Sequence, residues 1–217
     1  MDAREFSRRL SALAQDIIDA HIHYKLWRDL QKQHKANPLV MAQSPTFWRL
    51  TLKAHLTTSL YHLARVFVPE RNAMSIGMLL SVIRENDKVF SRKATALAGS
   101  PLAECLAKNG KVLDPSSLTE DIAVCAGGDV LVRKLIDARA KGFAKVGTKA
   151  GLGIRRDAEA AILSFREMEI LLMRALLVFR RYSDLFEATS QSGKVIANDD
   201  FKRLFEAADA MAEARLA

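Results

Sequence analysis

Eight cations crowd residues 131–156, LVRKLIDARAKGFAKVGTKAGLGIRR: Arg133, Lys134, Arg139, Lys141, Lys145, Lys149, Arg155 and Arg156. One carboxylate, Asp137, stands among them, so the segment holds +7 of the chain's formal +8. Closely spaced cations raise a local positive potential that a polyanion neutralises, and phosphate is the usual polyanion. Gly142, Gly147, Gly151 and Gly153 are interleaved with them, and small residues allow backbone to approach a phosphate. The segment is therefore expected to bind RNA or a nucleotide, with Arg133, Lys134, Lys141, Lys149, Arg155 and Arg156 as its track. The plainer alternative is a solvated basic helix end.

A second constellation is His62 with Arg65, three apart in YHLARVF and so neighbours on a helix surface. Imidazole titrates near neutral pH and can exchange a proton there, while the arginine could hold a phosphate. The alternative is a boundary histidine beside an arginine that pairs with a distant carboxylate. The other histidines do not make a metal site by spacing. His21 and His23 point about 200° apart on a helix, and His55 and His62 lie about 10.5 Å apart along one. With no His-x3-His or Cys-x2-Cys pair in the chain, neither metal nor cofactor is expected. Nucleophile elbows, phosphate-binding Walker motifs and a dinucleotide fingerprint are also missing.

The elements that must position these groups read as helices. Phe6, Leu10, Leu13, Ile17, Ala20, Tyr24, Trp27 and Leu30 recur every three or four residues, which predicts a helix from Asp2, a candidate cap, to about His34. A loop at Pro38 ends it. Ser44-Pro45 starts a second helix with Leu52, Leu56, Leu60, Leu63 and Phe67 inward, stopping at Pro69. Ser75 opens a third through about Asn86. The pattern weakens over 87–110, and Ser117-Leu-Thr-Glu120 has the form of a capping box that would begin another helix. Gly127-Gly128 interrupts it, and Asp129 can cap a continuation into the basic loop. The longest helix is expected from about Arg155 to Ala188, with 168–179 as its central buried part. An amphipathic helix over 200–216 closes the chain.

Arg174 lies within ILLMRALLVF, apolar on both sides. A buried guanidinium without a partner is very costly, so a carboxylate must meet it, and Glu85, Asp87 and Glu167 are the candidates.

No run alternates with a β-branched face, and proline and glycine are scarce at 5 and 10 residues, so the fold class is all-α, a bundle of long helices with short additional ones. At 217 residues, 1–217 suits a single domain with one filled core. The two cysteines, Cys105 and Cys125, suggest reduced thiols in a cytoplasmic protein rather than a disulfide framework. Residues 2–19 are charged throughout, unlike a secretory signal, and 168–179 is too short and too charged to span a bilayer, so no membrane partner is expected.

Two stretches together resemble the HEPN superfamily, in particular its abortive-infection branch of phage-defence proteins. The first is SPTFWRLTLKAHLTTSLYHLARVFVPERNAMSIGMLLSVI (44–83), with Phe-Trp, a long apolar helix ending Leu-Ala-Arg, and a Ser-rooted short helix with paired leucines. The second is ARAKGFAKVGT (138–148), similar to the motif region in which Arg is followed four to six residues later by His. The resemblance covers most of 15–185. It implies a helical bundle, often a homodimer, and in many members a metal-independent endoribonuclease whose motif Arg and His from two protomers meet. Here Arg139 takes the place of the motif Arg, Lys145 stands where the His would be, and Ala140 replaces the polar residue after the Arg. A lysine stays protonated near pH 7 and serves poorly as a base. The resemblance therefore implies a toxin–antitoxin-type protein that binds RNA or a nucleotide, beside a cognate antitoxin. A divergent nuclease using Arg139, Lys145 and His62 is one alternative, and a non-catalytic protein-interaction scaffold is the other.

Overall fold

A computed structural model describes residues 3–70, 73–85, 114–141 and 163–183. Seven helices occupy them, with no strand among the described residues: α1 (Ala3–Ala36), α2 (Pro38–Gln43), α3 (Pro45–Phe67), α4 (Ile76–Glu85), α5 (Pro115–Cys125), α6 (Val130–Ala140) and α7 (Phe165–Ser183). The all-α expectation stands. The 87–110 stretch, the basic loop from Gly142, the 200–216 helix, Asp2, Asn86, Asp87, Cys105 and Ala188 lie outside the described residues.

The α1 stripe is buried from Phe6 to Leu30 as its periodicity requires. Its partner is α3, whose Leu52, Leu56, Leu60, Leu63 and Phe67 face inward. The two helices run antiparallel: Asp16 meets His62, Ala20 meets Ser59 and His23 meets His55, so the contact positions rise on one helix as they fall on the other. Ser59 is fully buried and donates to the Ala20 carbonyl at 2.7 Å. A side chain this small lets the two backbones come close, and its hydroxyl is satisfied by the neighbouring helix. The stretch after Asn37 is not a plain loop, because Pro38 opens the short helix α2 and Val40 and Met41 are buried. Ser75 caps α4, accepting from the Met78 N–H at 3.3 Å, and Ile76, Leu79, Leu80 and Ile83 are fully buried.

Two helix starts differ from expectation. α5 begins a turn before Ser117, because Asp114 accepts from the Ser116 and Ser117 N–H groups and Pro115 fills the first helical position. The capping box forms instead at Ser164, where the Glu167 N–H donates to Ser164 Oγ at 3.2 Å and the Ser164 N–H donates to Glu167 Oε2 at 2.8 Å. The last long helix therefore starts at Phe165, not Arg155.

α7 packs on α1, α3, α4 and α6, and α4 packs on α5. Met168, Leu171, Leu172, Ala175, Val178 and Phe179 are buried, but Ile170, Met173 and Leu177 are exposed, so 168–179 is amphipathic rather than buried all round. Arg174 finds its carboxylate in Asp129, at 2.9 Å, and donates to the Val124 carbonyl at 2.6 Å. Of the expected partners, Glu167 pairs with Lys134 instead, and Glu85 is exposed at the end of α4. Among the described residues no helix is long and apolar enough to cross a membrane.

Candidate functional site

Heptad spacing on two antiparallel helices builds a polar seam. Asp16 and His23 are seven apart on α1, His55 and His62 seven apart on α3, and each pair occupies one face of its helix. Antiparallel register then sets Asp16 against His62 and His23 against His55. His62 Nδ1 is 2.8 Å from Asp16 Oδ1, and His23 Nδ1 is 2.9 Å from His55 Nδ1. The His23 ring lies between the other two, its centroid 5.1 Å from that of His55 and 6.4 Å from that of His62. The rings of His23 and His62 are within 4° of parallel.

Electrostatics follow from this packing. Burial pushes the His23 pKa below the ordinary imidazole value, the His62 charge adds to that, and Asp19 opposes it. His55 is likewise lowered, by burial first and by His23 second. Arg65 Nε sits 3.1 Å from Asp16 Oδ2, close enough for an ion pair but misaligned for a hydrogen bond. Its guanidinium lies 5.9 Å from the Tyr61 ring centroid, and the Tyr61 ring meets His62 edge-on. Asp16, itself nearly buried, thus holds both a histidine and an arginine.

The seam connects to the basic segment. Arg139 Nη2 bonds Glu70 Oε1 at 2.5 Å, and Glu70 also attracts Arg65. Charges of alternating sign therefore run from Asp16, which holds His62, through Arg65 and Glu70 to Arg139. Of the other segment cations, Lys134 bonds Glu167 at 2.5 Å, while Arg133 and Lys141 are exposed with no ion pair among the described residues. Lys145, Lys149, Arg155 and Arg156 lie outside the described residues. No group of three or more His, Cys, Asp or Glu side chains could hold a metal ion among the described residues. Cys125 is buried, which pushes its thiol up to about 12 and leaves it unreactive.

A separate groove of about 500 Å³ lies between α1 and α7, lined by His21, Tyr24, Arg28, Glu169 and Met173 among others. Its charges satisfy one another: Arg28 and the Tyr24 hydroxyl both bond Glu169, and Lys25 bonds Asp29.

The model of the HEPN family described as AbiU2 matches residues 3–204, nearly the whole chain. The chain belongs to that family. AbiU2 proteins are an abortive-infection branch of the HEPN superfamily. No curated protein and no solved structure matches the chain.

Sequence reading singled out His62 and Arg65 but missed Asp16, His23 and His55, which complete the seam. One signal was available. Arg49 precedes His55 by six residues, an Arg-then-His spacing of the kind the resemblance attaches to 139–145, and Arg49 is exposed on α3. Arg28 and His34 share that spacing, but His34 lies three turns beyond His23 at the end of α1.

Proposed function

We propose that this AbiU2-family chain cleaves RNA in the cytoplasm during an abortive-infection response, with the α1–α3 histidine seam as its proton-transfer centre. The observation that carries this is the side-by-side placement of three imidazoles and the Asp16 carboxylate, beside Arg65 and within one charge network of Arg139. When the 2′-hydroxyl attacks phosphorus, it gives up its proton, the bond from phosphorus to the 5′-oxygen breaks, and that oxygen takes a proton. The products are a 2′,3′-cyclic phosphate and a 5′-hydroxyl. Both transfers need groups that titrate near neutral pH, and imidazole is that group.

His62, with Nδ1 held on Asp16, offers Nε2 for one transfer, as in other Asp–His arrangements. His55, with Nδ1 held on His23, offers Nε2 for the other. Arg65 and Arg139 stabilise negative charge on the phosphate, joined by exposed Arg49. Lys145 and the rest of the basic track hold the RNA backbone.

The test is cleavage of single-stranded RNA by the purified chain in EDTA. Cleavage should persist, and His62→Ala and His55→Ala should each slow it by about 10²- to 10⁴-fold, the usual worth of a general acid or base. Cleavage abolished by EDTA, or undiminished in both variants, rejects the proposal.

A second reading keeps RNA or nucleotide binding through 131–156 without cleavage, and it is favoured by exposed Arg133 and Lys141. In either reading the exposed α7 stripe of Ile170, Met173 and Leu177 forms a symmetric homodimer.

A further inference from the structure

We propose that the outward face of α3 is a track for single-stranded RNA, with unpaired bases stacked on Phe47 and Tyr61 and phosphates held by Arg49 and Lys53. This deepens the proposed RNA cleavage by naming the kind of strand and the residues that hold it, and it is tested by binding alone. Phe47, Leu50, Ala54, Thr57 and Tyr61 follow one another at steps of three and four, so they form one stripe about 80° wide. All five are exposed, Phe47 to 58% and Tyr61 to 47%. The two rings stand about 21 Å apart along the helix axis. Tyr61 ties the track to the histidines, because its ring meets His62 edge-on with centroids 5.6 Å apart, and the Arg65 guanidinium lies 5.9 Å from its centroid. At the other end Phe47 is braced edge-on against Trp48, centroids 5.0 Å apart. Rings already held by neighbours lose little freedom when a base stacks on them.

The chemistry of the stripe selects its occupant. α3 has no carboxylate in its 23 residues, and Arg49 and Lys53 are exposed with no ion pair among the described residues. Helical angles set Lys53 along one edge of the stripe and His55 and His62 along the other. The carboxylates beside the histidines are engaged: Asp16 holds His62 and Arg65, Asp19 accepts from Gln15 at 2.8 Å, and Glu70, just past the helix, meets Arg139. Aromatic rings flanked by cations and free of anions match a single strand, whose bases stack on any π-face while its phosphates seek positive charge. A duplex keeps its bases stacked on one another and presents backbone instead. A partner helix is a poorer match, because Ala54 and Thr57 leave no apolar ridge between the two aromatic ends. The α7 stripe of Ile170, Met173 and Leu177 is aliphatic throughout and suits helix packing better. A base on Tyr61 sets its neighbouring phosphate beside His62, so Tyr61 is a positioning residue for the cleavage.

Fluorescence anisotropy of the full chain with a labelled 2′-O-methyl RNA single strand tests this, because that strand lacks the attacking hydroxyl and is read without cleavage. Phe47→Leu and Tyr61→Leu keep apolar bulk but remove the π-face. Each should weaken binding by about 5- to 150-fold, the usual worth of one stacked base. Phe47→Tyr and Tyr61→Phe keep the π-face and should bind like wild type. None of the four should change the salt slope, whereas Arg49→Ala with Lys53→Ala should lower it by about 1.4, at about 0.7 per phosphate contact. A duplex of the same sequence should bind more weakly and be indifferent to the leucine variants. Single-strand affinity unchanged in both leucine variants overturns the proposal, and so does wild-type binding of duplex as tight as that of single strand. A change of oligomeric state in Phe47→Leu, seen by light scattering, would assign the face to protein contacts and overturn it too. Ring-dependent binding without cleavage of ordinary RNA would leave the track standing and reject the proposed function. Cleavage together with unchanged binding in the leucine variants would do the reverse. If a leucine variant fails to fold, the Arg49–Lys53 variant and the wild-type preference for single strand over duplex still decide.

Discussion

Asp129 and Arg174 lie 2.9 Å apart, and the same carboxylate that anchors the arginine also accepts the Leu131 and Val132 N–H groups at the start of α6. One side chain thus starts a helix and neutralises a cation set among apolar residues of α7. Partial burial alone would raise the Asp129 pKa. The hydrogen bonds from Arg174 and the two backbone groups outweigh it and hold the carboxyl below its ordinary value. Asp129→Ala removes a cap and strands a largely buried guanidinium, and should cost about 2–5 kcal/mol in urea unfolding. A loss under about 1 kcal/mol would show that Arg174 finds another partner.

Stability should fall with acid for the same reason. A carboxyl whose folded pKa is below its unfolded value of about 3.9 adds stability that is complete above that value. It is lost as pH falls through the lower folded pKa. Glu167 behaves alike, because its hydrogen bonds with Lys134 and Ser164 outweigh the opposing effect of burial. Asp129→Asn should therefore show a shallower loss of stability than wild type as pH falls below about 4, measured by urea midpoints.

The long stripes of α1 and α3 were legible because an apolar residue every three or four positions leaves a helix no other face to bury. What was not legible depends on pairs distant in sequence. Arg174 is 45 residues from Asp129, and Glu85, Asp87 and Glu167 seemed equally available. The histidine seam requires the register between α1 and α3, which spacing within either helix does not contain. The same spacing set His55 and His62 two turns apart along one helix, yet it hid that His23 would come between them from the other helix. The start of α5 was a contest between two candidate caps, Asp114 and Ser117. Asp114-Pro115 outcompeted Ser117 because a carboxylate can take two N–H groups just where proline needs none.

That contest has a measurable form. Ser164→Ala should cost about 1 kcal/mol, the usual worth of an N-cap, and Asp114→Ala should lower the helicity of α5. Glu120→Ala should be close to neutral, because Glu120 is not the return partner of a capping box. Thermal unfolding of the three variants, with amide hydrogen exchange at residues 116–120, checks the order.

RNA affinity should weaken as salt rises, because each phosphate neutralised releases counterions. Arg133 and Lys141 are the exposed, unpaired cations of the described half of the basic segment, whereas Lys134 and Arg139 already meet Glu167 and Glu70. Replacing Arg133 and Lys141 by Ala should reduce the log–log salt slope by about 1.4 on single-stranded RNA, at about 0.7 per contact. An unchanged slope would remove both from the interface.

Met173→Glu with Leu177→Glu places two charges in the exposed stripe of α7 without touching its buried face. Light scattering at tens of micromolar should give a dimer for wild type and a 24.1 kDa monomer for the variant. A wild-type monomer would leave the stripe without the assigned role.

Asp16 is the residue on which the nuclease reading can be tested without removing an imidazole. Asn has nearly the same shape, so Asp16→Asn keeps a group beside His62 Nδ1 and Arg65 Nε but removes the negative charge they share. If His62 transfers a proton, its imidazolium loses the carboxylate that stabilises it, and kcat should fall by at least about tenfold. His62→Ala combined with Asp16→Asn should then be little slower than His62→Ala alone, because groups that act as a unit do not contribute additively. Fully additive losses would mean that Asp16 serves through Arg65 or through folding instead. Urea unfolding of Asp16→Asn separates those two, since a purely structural role would cost about 1–3 kcal/mol for the half-buried arginine left without its charge partner.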